Sequence, residues 1–208
     1  MWQWGIAAAL AIGAAHVLAR YAGAPGVAGL LKAIPIALLA ALVATEPTAI
    51  AERYRWLVFA GLLCSLGGDI WLVFPGGFVP GLASFLVAHL LYIGAFAPAG
   101  GGGLMLVPFA IFGAAMLAYL WPHLAKDRVP VAVYVTVIVV MGWRAAARAA
   151  GGSPMPSGEL ALAGALLFMI SDGVLAVDRF ARPFAAADGA VMTTYYAAQA
   201  LIALSVRA

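Results

Sequence analysis

Charge is what this chain has least of. Asp, Glu, Lys and Arg make up only 9% of its 208 residues, where a soluble domain carries roughly a quarter. So few charges exclude an ordinary water-soluble surface. The 11 Lys and Arg residues are scattered, with no basic cluster to follow a run of phosphates, which excludes nucleic acid as a partner. The formal net charge of +3 suits anionic lipid headgroups instead. Cysteine is almost absent too. Cys64 stands alone, so no internal disulfide forms and the redox compartment is not readable. In its apolar run it is expected to be a buried, inert thiol. The first residues, MWQWGIAAALAIGAAHVLARYAG, lack the positively charged start of a secretory signal. They are read as a first spanning helix, and no lipidation motif is visible.

What fills the chain is apolar: 66% hydrophobic residues and a mean hydropathy of +1.06. Turn signals and charges divide it into eight apolar segments, at about 2–21, 25–44, 54–74, 77–97, 104–121, 129–149, 158–178 and 187–207. Each is close to the ~20 residues that cross a bilayer as a helix. They are apolar all round, unlike the short alternating strands of a membrane barrel. The expected fold is an all-α integral membrane protein of eight transmembrane helices, one domain over residues 1–208. The linkers are short, Gly100–Gly103 reads as a flexible midpoint, and no segment is expected to break strongly at its centre. All six tryptophans fall near predicted helix ends, as an aromatic belt would place them. Loop Lys and Arg residues divide evenly between the two faces, so the positive-inside rule assigns no orientation. The Ala- and Gly-rich composition with short loops favours a bacterial cytoplasmic membrane.

Against this background two carboxylates stand out. Asp69 lies in LLCSLGGDIWLVF and Asp172 in LAGALLFMISDGVLAV. A carboxylate inside a hydrophobic span is costly unless paired, protonated or facing a wet cavity, so each marks a functional site by default. They occupy matching positions in the two halves, and each is followed by a short loop and a helix with a polar side. A parallel duplication is the simplest reading, with halves 1–100 and 101–208. Counting 1.5 Å per residue along alternating helices puts Asp69, Asp172, Lys32, Tyr195 and Tyr196 in one half of the bilayer, with His89 near the midplane. His89 and Tyr92 share one helix face, and Tyr195, Tyr196 and Gln199 fill a comparable arc. The picture is a polar cavity opening to one side, walled by segments 2, 3, 4, 7 and 8.

Plainer readings stand beside this one. Lys32 can snorkel to the interface, Tyr195 and Tyr196 can belong to the aromatic belt, and His89 can be a packing residue. The aspartates can form a structural clamp between the halves. Asp178, Asp188 and Glu159 sit at helix ends and His16 and His123 near interfaces, where solvation suffices; Glu46 carries no signal.

The block GGDIWLVFPGGFVPGLASFLVAHLLYIGAF resembles the YhhN-type membrane family, the lysoplasmalogenases, through Gly68-Asp69, Phe78, Gly81, Phe85, His89 and Tyr92. The second block, FMISDGVLAVDRF followed by VMTTYYAAQALIALS, is similar to the family's Ser-Asp helix and closing Tyr-Tyr-x-x-Gln helix, through Ser171, Asp172, Phe180, Tyr195, Tyr196 and Gln199. Lys32 and Pro35 match a Lys-Pro element, and Tyr134 and Met141 fit as well. Gly173 departs from the pattern, where a small polar residue is expected.

The resemblance implies hydrolysis of the vinyl ether bond of lysoplasmalogens to a fatty aldehyde and glycerophosphocholine or glycerophosphoethanolamine. It implies a lysophospholipid substrate, the bilayer as partner and no cofactor. Vinyl ethers hydrolyse by protonation of the β-carbon to an oxocarbenium ion, a logic shared with two-carboxylate glycosidases. Asp69 and Asp172 are the expected pair, one protonated and one charged, and the sequence leaves open which is the acid. His89 would position water or relay a proton. Tyr92, Tyr195, Tyr196 and Gln199 would orient the ether oxygen or a glycerol hydroxyl, and Lys32 would meet the phosphate or hold an aspartate ionised. Three alternatives use the same residues: a proton- or ion-coupled transporter, a metal-dependent hydrolase with Asp69, His89 and Asp172 as ligands, and a non-catalytic lipid-binding protein.

Overall fold

The computed structural model describes residues 2–97 and 102–207, and most of them are helical. The nine α-helices among the described residues are α1 (Trp2–Tyr21), α2 (Pro25–Lys32), α3 (Ile34–Ala44), α4 (Glu52–Trp71), α5 (Phe78–Ala95), α6 (Leu106–Leu120), α7 (Arg128–Ala150), α8 (Ser157–Ala176) and α9 (Ala187–Leu204). Six stretches are long and apolar enough to cross a membrane: α1, α2 with α3, α5, α6, α7 and α8 with their flanking turns. Helices α4 and α9 are of similar length, 20 and 18 residues, but carry more polar side chains. Of the Gly100–Gly103 midpoint expected from the sequence, Gly100 and Gly101 lie outside the described residues.

Seven of the eight expected segments each form one principal α-helix, and the second departs from expectation. It breaks between α2 and α3 at Ala33. The cause is Pro35, which has no N–H to donate to the preceding turn. The carbonyl of Lys32, in the last turn before the break, accepts a 2.9 Å bond from the Tyr196 hydroxyl of α9. A broken helix at membrane depth is tolerated where a neighbour supplies the missing bond. A second irregularity is a π turn at Val177–Ala181, which prolongs α8. It carries Phe180 and Arg179 against Phe78, at 6.3 Å between ring centroids and 4.5 Å from guanidinium to ring.

Two tight hairpins, α4 on α5 and α8 on α9, form the centre of the bundle. Small residues permit the close approach. Gly61 of α4 faces the Tyr92 ring so closely that a Cβ would overlap it, and a Cβ on Gly164 would come within 2.8 Å of the Ala198 carbonyl. Helices α1 and α3 pack on α9, α7 joins α5 to α8, and α6 rests on α7. At one end of the bundle the 45–51 connection is tied down by the chain's last turn. The Ile50 N–H donates to the Val206 carbonyl at 3.1 Å, and Arg207 pairs with buried Glu46 at 3.3 Å. Glu46, unreadable from sequence, thus anchors a loop.

Candidate active site

The ends of α1, α4 and α8 and the starts of α2, α5, α7 and α9 meet at one face of the bundle. Asp69 lies in the last turn of α4 and is 1% exposed. The Tyr195 hydroxyl of α9 donates to its Oδ2 at 2.7 Å. Asp172 lies in the last turns of α8, and the Tyr134 hydroxyl of α7 donates to its Oδ2 at 2.8 Å. His89 of α5 approaches the same oxygen, its Nε2 at 3.6 Å, too far for a hydrogen bond. Asp69 of α4 thus receives its bond from α9, whereas Asp172 of α8 receives its bond from α7 and faces His89 of α5. One phenol on each carboxylate leaves Oδ1 of each without a hydrogen bond among the described residues.

Both carboxylates wall one cavity of about 90 Å³, together with Lys32, Phe85, Tyr134 and Tyr195. This cavity lies between two others. Phe78, Leu82, Tyr134, Asp172 and Leu175 are shared with a narrow apolar cleft, completed by Phe112 and Met116 of α6. On the other side Lys32, Leu72 and Asp188 are shared with a larger vestibule of about 250 Å³. Only Asp172 of the two carboxylates borders the apolar cleft, and only Asp69 is electrostatically coupled to Lys32.

The residues expected from the sequence divide into two layers. Asp69, Asp172, Lys32 and Tyr195 line the cavity. His89 stands behind Asp172, fully buried, its ring set edgewise against Phe168 and Tyr134 at centroid distances of 4.6 and 5.4 Å. Neither of its ring nitrogens has a hydrogen-bond partner among the described residues. Tyr92, Gln199 and Tyr196 do not line the cavity. The Tyr92 hydroxyl donates to Gln199 Oε1 at 2.7 Å, a fully buried α5–α9 link. Tyr196 holds the broken segment, as described above. Asp69, His89 and Asp172 do not form a three-ligand set: no group of three His, Cys, Asp or Glu residues among the described ones is placed to share a metal ion.

Sequence reasoning named three further residues without placing them at the site. The sixth segment walls the cavity through Tyr134, and its signal was depth: about two turns into α7, level with Asp172 on the antiparallel neighbour. Asp188, expected to be solvated at a helix end, pairs with Arg20 at 3.1 Å and borders two cavities. His16, expected to be solvated near an interface, is 3% exposed, and its Nδ1 lies 2.8 Å from the Ala28 carbonyl. That contact fastens α1 to the short α2.

The model of the YhhN family matches residues 27–206. A human relative, lysoplasmalogenase TMEM86B, is 43% identical over 182 residues, covering 86% of this chain and 74% of its own. A bovine relative, lysoplasmalogenase TMEM86A, is 42% identical over 156 residues, covering 71% and 64%. A lysoplasmalogenase from Mycobacterium bovis is 36% identical over 183 residues, covering 82% and 67%. No solved structure matches.

Proposed function

Because this chain belongs to the YhhN family, we propose that it is a lysoplasmalogenase, hydrolysing the vinyl ether bond of a lysoplasmalogen to a fatty aldehyde and a glycerophospho-alcohol. The observation that carries the reading is one cavity walled by two aspartates from different halves, with an apolar cleft on one side and a charged vestibule on the other. A lysolipid is built the same way: an alkenyl tail, a reactive ether, a polar head.

This alignment assigns the two carboxyls. The carbon that accepts the proton is on the tail side of the vinyl ether, and the developing cation is on the oxygen side. Asp172 borders the apolar cleft, so it is the acid, delivering its proton from Oδ1 to the β-carbon. Tyr134 stabilises the carboxylate that this leaves behind. Asp69, next to Lys32, is the charged partner. It faces the oxocarbenium ion, takes a proton from the attacking water and so generates the hemiacetal. In the collapse Asp69 returns that proton to the departing glycerol oxygen, and the hemiacetal hydroxyl returns one to Asp172. Both groups are restored, and the net change is one water added. His89, its Nε2 3.6 Å from Asp172 Oδ2, stands behind the acid and tunes it. Tyr195 orients Asp69. Tyr92, Tyr196 and Gln199 support substrate binding by fixing α9 against α5 and the α2–α3 break.

The same reading carries eight membrane spans. Helices α4 and α9, at 20 and 18 residues, are long enough to cross ~30 Å, and part of what lowers their hydropathy lines the cavity: Asp69 on α4, and Asp188 and Tyr195 on α9. It also carries a parallel duplication, since the α4–α5 and α8–α9 hairpins each present an aspartate near the end of their first helix. The membrane is the cytoplasmic membrane of a bacterium.

The test is turnover in labelled water. Purified protein given an alkenyl lysolipid in deuterium oxide releases an aldehyde with one deuterium on the carbon beside the carbonyl. In water of heavy oxygen, the glycerol product carries no label. The saturated alkyl-ether analogue is inert. Heavy oxygen in the glycerol product, or no release of aldehyde, overturns the proposal.

A further inference from the structure

The vestibule next to Asp69 has a composition that the hydrolytic chemistry does not use. It is bordered by Arg20 of α1, Lys32 of α2 and Asp188 of α9, with His16, Gly29 and Leu72 completing its walls. Two cations and one anion thus converge at the face where α1 ends and α2 and α9 begin. The anion has a partner, at 3.1 Å from Arg20. Lys32 does not: its ammonium makes no hydrogen bond or ion pair among the described residues, although it is electrostatically coupled to Asp69 and Asp188. A half-buried lysine next to a carboxylate cavity and held short of direct pairing is an anchor for a ligand anion. Lys32 and Asp188 are also the charged residues that this vestibule shares with the catalytic cavity. They lie where a headgroup would leave the reaction centre.

Resting on the lysoplasmalogenase reading, we propose that this vestibule is the headgroup subsite and that it reads a zwitterion: Lys32 holds the phosphate and Asp188 holds the headgroup cation. The order follows the lipid's own. The phosphate sits one glycerol unit from the vinyl ether and meets Lys32, which shares the cavity with both aspartates. The alcohol's ammonium lies farther out and competes with Arg20 for the Asp188 carboxylate. That pair is open to solvent, with side chains 47% and 44% exposed, so exchange of partner does not require desolvating a buried ion pair. The released Arg20 guanidinium then adds a second positive group near the phosphate. An anionic headgroup finds Asp188 repulsive, so the same residue rejects as well as selects.

The experiment compares three substrates with the same alkenyl chain in the same detergent: a phosphoethanolamine lysolipid, a phosphoglycerol lysolipid, and the phosphate-free 1-alkenylglycerol. Ratios of kcat/KM are read within each variant, so differences in folded fraction cancel, as does any general rate loss from removing Lys32 near Asp69. The wild type is expected to favour phosphoethanolamine over phosphoglycerol, and both over the phosphate-free substrate, each step by about 10- to 100-fold, the size of a charge-assisted contact. Lys32→Met collapses the advantage of phosphate, and Lys32→Arg retains it. Asp188→Asn collapses the preference for phosphoethanolamine over phosphoglycerol and leaves the advantage of phosphate in place. A wild type that cleaves all three alike overturns the subsite while leaving the lysoplasmalogenase reading intact, as do variants that keep wild-type ratios. A wild type that releases aldehyde from none of them overturns both.

Discussion

Replacing Tyr134 with Phe removes one oxygen atom from the site and leaves the packing alone. The Phe ring keeps the edge contact with His89, now at 5.4 Å between centroids, so α5, α7 and α8 stay in register. What is lost is the 2.8 Å bond to Asp172 Oδ2. If Asp172 is the acid, its charge appears only as the proton moves to carbon, so the bond is stronger in the transition state than in the ground state. A hydrogen bond to a charged group is worth about 1.5–3 kcal/mol, or about 10- to 150-fold in rate. The loss belongs in kcat, with KM little changed, because Tyr134 acts on the acid and not on the substrate. Steady-state aldehyde release, followed through an aldehyde dehydrogenase coupled to nicotinamide reduction, separates the two constants. The solvent deuterium isotope effect stays large, because carbon protonation is still the slow step. An unchanged kcat, or a defect confined to KM, refutes Asp172 as the proton donor.

Other perturbations follow from the same geometry. Met116→Trp narrows the apolar cleft and shifts preference toward shorter alkenyl chains. Excluding two methylenes at about 0.8 kcal/mol each lowers the long-to-short ratio of kcat/KM by about tenfold, and an unshifted profile places the tail elsewhere. Glu46 tests the fold outside the spans. Burial alone would raise its carboxyl, but bonds from Thr48 and the charge of Arg207 outweigh that and hold it below its ordinary value of 4.5. Its stabilisation is therefore complete above that value and fades as pH falls through the lower folded one. Glu46→Gln lowers the thermal midpoint in detergent at pH 7, and the gap to wild type closes in acid. A gap that does not depend on pH contradicts the account.

Depth was legible in the sequence, and direction around each helix was not. Hydropathy gave α1 at its observed ends, Trp2–Tyr21. Counting residues from the turns put Asp69, Asp172, Lys32 and Tyr195 at one level, where the structure brings them together. Which neighbour each side chain meets depends on rotation about the helix axis, and an all-round apolar helix carries almost no amphipathic signal to fix it. That is why Tyr134 went unassigned beside Asp172, and why Tyr92 and Gln199, which lie deeper in the bundle than the cavity, were not seen to bond to each other. Pro35 stood in plain view, but whether a proline kinks or breaks a helix depends on partners for the carbonyls of the preceding turn. The partner of the Lys32 carbonyl, Tyr196, is 164 residues away. His16, 3% exposed, was misjudged for a related reason. Helix ends are solvated by default, unless the ends of other helices close over them.

In the proposed mechanism Asp69 and Asp172 share one proton-transfer task, and their asparagine variants test it most directly. Asn keeps the shape of each side chain and accepts the same phenol bond from Tyr195 or Tyr134. With folding confirmed by an unchanged elution profile and thermal midpoint, Asp172→Asn and Asp69→Asn are each expected to slow single-turnover aldehyde release by about 10²- to 10⁴-fold, the range of a lost acid or base. The double variant should be little worse than either single one, because the two act as a unit. Wild-type aldehyde release from either folded variant would contradict the account.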